Sequence, residues 1–261
     1  MELLGYFGAT LIGVSLGFLG GGGSILAVPL LVYMFKLPAA TATLYSLFIV
    51  GLTSLVGFVR AARLKQVSFA AMMSFAIPSL AGVLLVRRVF LPLMPGLLDF
   101  GFMTLSKDTL IMTAFALVML LASIAMIRPG KKDVEQKLQD PWWLSALKAL
   151  GVGAVTGFVG AGGGFLIVPA LVVMSRLPMK IAVGTSLGVI AFNSLFGFLS
   201  DAISGVAMDF VFVLKISVLA IAGIIVGLKW GQNTSDAKLK PLFGYFVLIV
   251  GALIFLSQFS Y

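Results

Sequence analysis

Apolar runs of about twenty residues fill the chain, separated by short breaks that carry glycine, proline or charge. The stretches Ile111–Ile127 and Leu214–Leu228 are apolar on every face. A β-barrel strand would alternate apolar and polar residues over about ten positions, and these do not. Runs of that length suit helices crossing a bilayer, since a helix satisfies its own backbone hydrogen bonds in lipid. The pattern predicts an all-α fold, a polytopic membrane helical bundle.

The pattern also repeats. Residues 17–35 read GFLGGGGSILAVPLLVYMF and residues 157–175 read GFVGAGGGFLIVPALVVMS, at an offset of 140 without a gap. The register continues through Lys36-Leu37-Pro38 against Arg176-Leu177-Pro178, and on through Ser46/Ser186, Ser54/Ser194 and Gly57/Gly197. Glycines, prolines, a basic residue and serines do not stay in step over some forty positions by chance, so the chain is a duplication. The first repeat is expected over 1–127, with a glycine-broken hairpin at 3–35 and helices at 38–60, 67–88 and 108–127. A polar linker follows at 128–147. The second repeat, 148–261, has its hairpin at 148–175 and helices at 178–200, 210–229 and 241–259.

Charge then orients the halves. The loop after 38–60 carries Arg60, Arg63 and Lys65, whereas its counterpart carries Asp201 and Asp209. Equivalent loops of opposite character are expected if they face opposite sides. With the linker basics (Arg128, Lys131, Lys132, Lys137) and Lys229, Lys238 and Lys240 in the cytoplasm, both termini fall outside. Each glycine unit then enters and leaves by one face, as a hairpin. The fold reads as two inverted repeats, each a broken hairpin plus three transmembrane helices, with ten spans or six plus two re-entrant hairpins. The hairpin tips are expected to meet near mid-membrane.

Composition narrows the function. Of 261 residues, 61% are hydrophobic and 10% charged, with mean hydropathy +1.16. A soluble domain would carry about a quarter charged residues. The net charge of +9 sits mostly at segment ends, where it anchors to interfaces, so no nucleic-acid partner is expected. Cys and His are absent, which removes disulfides, thiol chemistry, haem ligation and the usual zinc sites. The chain is therefore not expected to be an enzyme, and no cofactor or metal is expected. No cleavable signal peptide is expected at its start, because Glu2 occupies the place of a basic n-region. The lipid bilayer and a small anion are the expected partners. A coupling proton or sodium ion is not distinguished, since no carboxylate sits deep in a span, and oligomeric state is unread.

The candidate site lies at the two breaks. Gly20, Gly21, Gly22 and Gly23, and Gly160, Gly162, Gly163 and Gly164, permit backbone angles that β-carbons forbid. Helix is expected to resume at Ser24 and Phe165, leaving N–H groups and the positive dipole end at new helix N-termini, where anions bind. Broken helices at equivalent places in two halves are the usual pointer to a transporter's binding site. Gly13/Gly17 and Gly153/Gly157 read instead as helix packing. Pro29 and Pro169, past the first turn of the resumed helix, kink it or shape the site. On the following helix stand Thr43, Ser46, Thr53 and Ser54, and Thr185, Ser186, Asn193 and Ser194. Of these, the recurring pairs Ser46/Ser186 and Ser54/Ser194, and Asn193, are the candidates for lining the site. Lys36 and Arg176 read as interfacial anchors, and Lys215 as a snorkelling lysine.

The paired motifs GFLGGGGSILAVPLL and GFVGAGGGFLIVPALVV, each followed by a (K/R)LP turn and a serine-bearing helix, resemble the TauE/SafE sulfite exporter family, also called the toluene-sulfonate uptake permease family. The resemblance spans essentially the whole chain. It implies a multi-pass protein of the bacterial inner membrane that transports sulfite, sulfonates or similar sulfur-containing anions. The family's pattern maps onto Gly20, Gly22, Gly23 and Pro29, and onto Gly160, Gly162, Gly163 and Pro169. The function expected is secondary transport by alternating access around the tips. An anion channel on the same scaffold is the alternative.

Overall fold

The computed structural model describes residues 2–90, 93, 97–99, 104–127, 142–159, 164–202 and 208–257. The linker residues 128–141 and the glycines Gly160, Gly162 and Gly163 lie outside the described residues. The helices are α1 (Glu2–Leu19), α2 (Ala27–Phe35), α3 (Ala39–Arg63), α4 (Phe69–Leu85), α5 (Lys107–Ile127), α6 (Trp142–Val159), α7 (Gly164–Pro169), α8 (Met179–Ala202), α9 (Phe210–Asn233) and α10 (Asp236–Ser257); α6 begins inside the stretch expected as linker, and α10 begins before the expected 241. Among the described residues the only extended structure is a three-residue antiparallel ladder, Leu97–Asp99 with Thr104–Ser106. Among the described residues, five helices are long and apolar enough to cross a membrane, at 41–63, 69–90, 179–202, 210–233 and 236–256. Rows such as Leu4, Phe7 and Leu11, or Ile249, Leu253 and Leu256, remain exposed along helix faces. Apolar rows of that extent on a chain so poor in charge are a lipid-facing surface.

Small residues decide which helices touch. A β-carbon on Gly13 of α1 would collide with the Ala220 carbonyl of α9, and one on Gly153 of α6 with the Ser79 carbonyl of α4. The first arm of each hairpin thus packs on a helix from the other half. Residue numbers rise together in both pairs: Gly13 faces Ala220 and Gly17 faces Ile224, while Gly153 faces Ser79 and Gly157 faces Val83. These pairs are parallel. The self-equivalent pair α3 and α8 runs antiparallel, with Gly51 beside Leu195, Gly57 beside Leu187 and Gly184 against the Gln66 carbonyl. So does α5 with α10, where Gly244 meets Ile127 and Gly251 meets Met119. The central core joins both hairpins to α8 through Leu16, Ala27, Val50, Ile167, Leu171, Leu187 and Ile190.

Candidate functional site

The chain breaks after α1 because Gly20 takes φ +74°, a conformation L side chains rarely adopt, and a β-carbon there would press on Val168 and on the Ser186 hydroxyl. Helix does not resume at Ser24 as regular α-helix. Gly21–Leu26 form 3-10 turns first, and the α-helix begins at Ala27. The narrower turn fits a tight place: the Gly21 backbone lies directly on the Gly164 carbonyl, with no room for a β-carbon. The two tips therefore touch. In the second half, α7 starts at Gly164, one residue before Phe165, and Pro169 marks its change to a π-helical turn over Ala170–Met174. Pro29 lies in the first turn of α2, where a missing N–H is harmless.

Both hairpins end alike. Lys36 (φ 55°) and Arg176 (φ 52°) are left-handed. The next N–H, of Leu37 or Leu177, donates back to Leu31 O or Leu171 O at 3.2 and 3.1 Å. This is the closure usually built on glycine. A basic residue holds it here, at about 1 kcal/mol of local strain.

Where the tips meet, a cavity opens between them and the ends of α4 and α8. It is lined by Ser24 and Gly164 from the tips, Asn193, Ser194 and Gly197 from α8, Thr156 from α6, and Val83 and Arg87 from α4 and its extension. Its free volume is about 30 Å³, room for one or two waters. The cation is delivered by a π-helical turn, Val86–Phe90, that continues α4. Arg87 donates to Asp201 Oδ2 at 3.2 Å, beside Arg88, which donates to the Ser200 carbonyl at 3.4 Å and to the Ser200 hydroxyl. This clasp ties α4 to the end of α8 at the cavity mouth. Asn193 donates from Nδ2 to Ser79 Oγ at 2.9 Å, while its Oδ1 is buried without a partner. The Ser24 hydroxyl donates to Gly21 O at 2.7 Å, so the guanidinium of Arg87 and the amide of Asn193 are the donors that suit a compact oxyanion in so small a space.

The other candidates are distributed differently. Gly22 faces the rings of Phe243 and Phe246, and Gly23 packs on Ile12 and Ser15 of its own hairpin. Phe165 is fully buried in a cluster with Leu19, Met119 and Phe243. Ser46 and Ser186 are fully buried and donate to carbonyls on their own helices, Thr43 O and Val183 O, each at 2.8 Å. Thr185 Oγ1 accepts from the Ser68 N–H at 3.0 Å. Lys215 is exposed on the outer face of α9. Sequence reasoning missed Arg87 and Thr156. An arginine at the end of a span reads as an interfacial anchor, and only the π turn brings Arg87 to the cavity. One signal was available: the corresponding place on α9 holds Leu228, with no charge.

The pattern of the family described as sulfite exporter TauE/SafE matches residues 6–254. A probable membrane transporter protein of Xylella fastidiosa (strain 9a5c) is 30% identical over 252 residues, covering 94% of this chain and 91% of that protein. Others of the same description, from Methanocaldococcus jannaschii and Bacillus subtilis, are 25% and 26% identical; both alignments cover 94% of this chain, with 94% and 96% of the relatives. No solved structure matches.

Proposed function

The chain belongs to the sulfite exporter TauE/SafE family, a family of multi-pass membrane transporters, and from that premise we propose that it is a secondary transporter of sulfite, a sulfonate or a similar small sulfur-containing anion. The anion binds between the two hairpin tips and is carried by alternating access. One observation carries this reading: Arg87, Asn193, Ser194 and Ser24 converge on a single cavity where the tips touch. Arg87 supplies charge and a planar fork of donors, and the Asn193 amide and Ser194 hydroxyl add neutral donors; the Ser24 hydroxyl is spent on Gly21 O at 2.7 Å.

Inverted repeats are supported by the antiparallel pairing of α3 with α8 and of α5 with α10. Equivalent helices related by an axis along the membrane normal would run parallel. The first arm, α1 (Glu2–Leu19), extends about 27 Å at 1.5 Å per residue. That is short of the roughly 30 Å hydrocarbon core, which favours tips meeting inside a bacterial inner membrane. Loop charge supports a reading with both termini outside.

A carrier is favoured over a channel because, among the described residues, Leu16, Val50, Leu187 and Ile224 pack together as one buried cluster beyond the cavity. In proteoliposomes with an imposed proton or sodium gradient, the protein should accumulate sulfite or a sulfonate above the external level. Equilibration that stops at equal concentrations would replace the carrier with a channel. Failure to move any of these anions would remove the substrate assignment.

A further inference from the structure

The cavity has a mirror image in the other half of the molecule. Shifting its lining by the repeat offset carries Asn193 to Thr53, Ser194 to Ser54, Gly197 to Gly57, Leu47 to Leu187 and Ile190 to Val50. On the helix from the partner half, Val83 and Arg87 become Ile224 and Leu228, one position further along. The contacts obey the same exchange. Gly197 faces the Leu47 side chain across α3 and α8, and Gly57 faces that of Leu187. Gly57 also meets Ile224, the counterpart of Val83.

Every one of these mirror positions is buried, and Leu16, Val50, Leu187, Ile224 and Leu228 form one core cluster. Within that region Thr53 Oγ1 and Ser54 Oγ are completely buried and have no hydrogen-bond partner. The cause for Thr53 is visible in the symmetry. Asn193 finds Ser79 on α4, but the place corresponding to Ser79 on α9 is Ala220. A neighbouring pair of hydroxyls left unpaired in a dry core is a standing cost. A sequence selected only for packing would place Val and Ala there.

We infer that Thr53 and Ser54 form the wall of a second, closed half-site for the same oxyanion, one that opens to the membrane face opposite Arg87. This rests on the alternating-access reading. When the repeats exchange conformations, the mirror region opens and the Asn193 side closes. The anion then passes from a cationic half-site to one that offers hydroxyl donors and Leu228 in place of Arg87.

The protein has no cysteine, so single cysteines report without background. Ser194→Cys and Ser54→Cys, each in the full-length protein, would be treated with a small membrane-impermeant methanethiosulfonate in right-side-out and inside-out vesicles. Ser194→Cys should react from one face only and Ser54→Cys from the other only. Reaction of Ser54→Cys from the Ser194 face, or from neither face, overturns the proposal. Thr53→Val supplies a second measure, because it removes an orphan hydroxyl at nearly constant volume. It should melt higher than wild type yet transport at least about tenfold more slowly, the factor corresponding to one hydrogen bond to a charged group. Unchanged transport in Thr53→Val overturns the half-site. Wild-type vesicles that do not move sulfite would sink the substrate assignment alone, and opposite-face labelling of the two cysteine variants would still support the second half-site.

Discussion

Asp201→Asn should make this protein bind sulfite more tightly, because the native aspartate competes with the anion for Arg87. The two charged groups stand 3.2 Å apart, with side chains 21% and 43% exposed. Unit charges at that separation attract by about 1.3 kcal/mol in water and about 5 kcal/mol at an effective dielectric of 20. Exposure of this degree puts the pair near the lower figure, and measured exposed pairs are worth about 0.2–1 kcal/mol. Releasing about 1 kcal/mol of competition tightens binding about fivefold. Isothermal titration with sulfite in detergent or nanodiscs measures the constant directly. In an Arg87→Gln background the same Asp201→Asn change should do nothing, since there is no guanidinium to release. Were the pair merely a fastener between α4 and α8, Asp201→Asn would lower the melting temperature and leave the affinity alone. Unchanged or weaker sulfite binding in Asp201→Asn would refute the competition.

The tips and turns give two further expectations. Gly21→Ala should destabilise the fold by about 1–3 kcal/mol, as overpacking does, because its methyl would lie on the Gly164 carbonyl. Gly22→Ala, whose β-carbon meets Phe246 at 3.2 Å and Phe243 at 3.3 Å, should be milder since rings can shift; thermal unfolding of the two variants side by side decides it. Lys36→Gly should relieve about 1 kcal/mol of left-handed strain and raise the melting temperature with transport unchanged, and a lower melting temperature would contradict the strain assigned to this turn.

The helices were legible because lipid demands long apolar runs, and no tertiary contact overrides that demand. The candidate site was only half legible. Ser24, Gly164 and Asn193 do line the cavity; the first two could be picked out as positions at a helix break, and Asn193 as a polar residue in the middle of the following helix. Ser46 and Ser186 keep equally good register in the two repeats, but each hydroxyl turns back to a carbonyl three residues earlier, a choice of rotamer that spacing does not encode. Arg87 was hidden for another reason. It reaches the cavity only through the packing of α4 against α6 and α8, contacts across more than sixty residues of sequence, and through a π turn with no sequence signature. The repeat offset also shifts by one residue between α3 and α4, so a comparison at 140 sets Arg87 against Gly227 rather than Leu228.

The exchange of hairpin arms between halves has a consequence for how the protein is made. Gly13 on α1 docks against Ala220 on α9, which the ribosome adds roughly 200 residues later. At about 5–20 residues per second, the first arm waits about 10–40 s in the membrane before its partner exists. The α6 arm has no such delay, because α4 is already in place when it is synthesised. Assembly therefore has a fixed order: the second hairpin seats first, and the first hairpin, although inserted earliest, is completed only as the chain nears its end. A ribosome stalled before α9 would leave the glycine face of α1 open to lipid, which makes truncated chains ready substrates for membrane quality-control proteases.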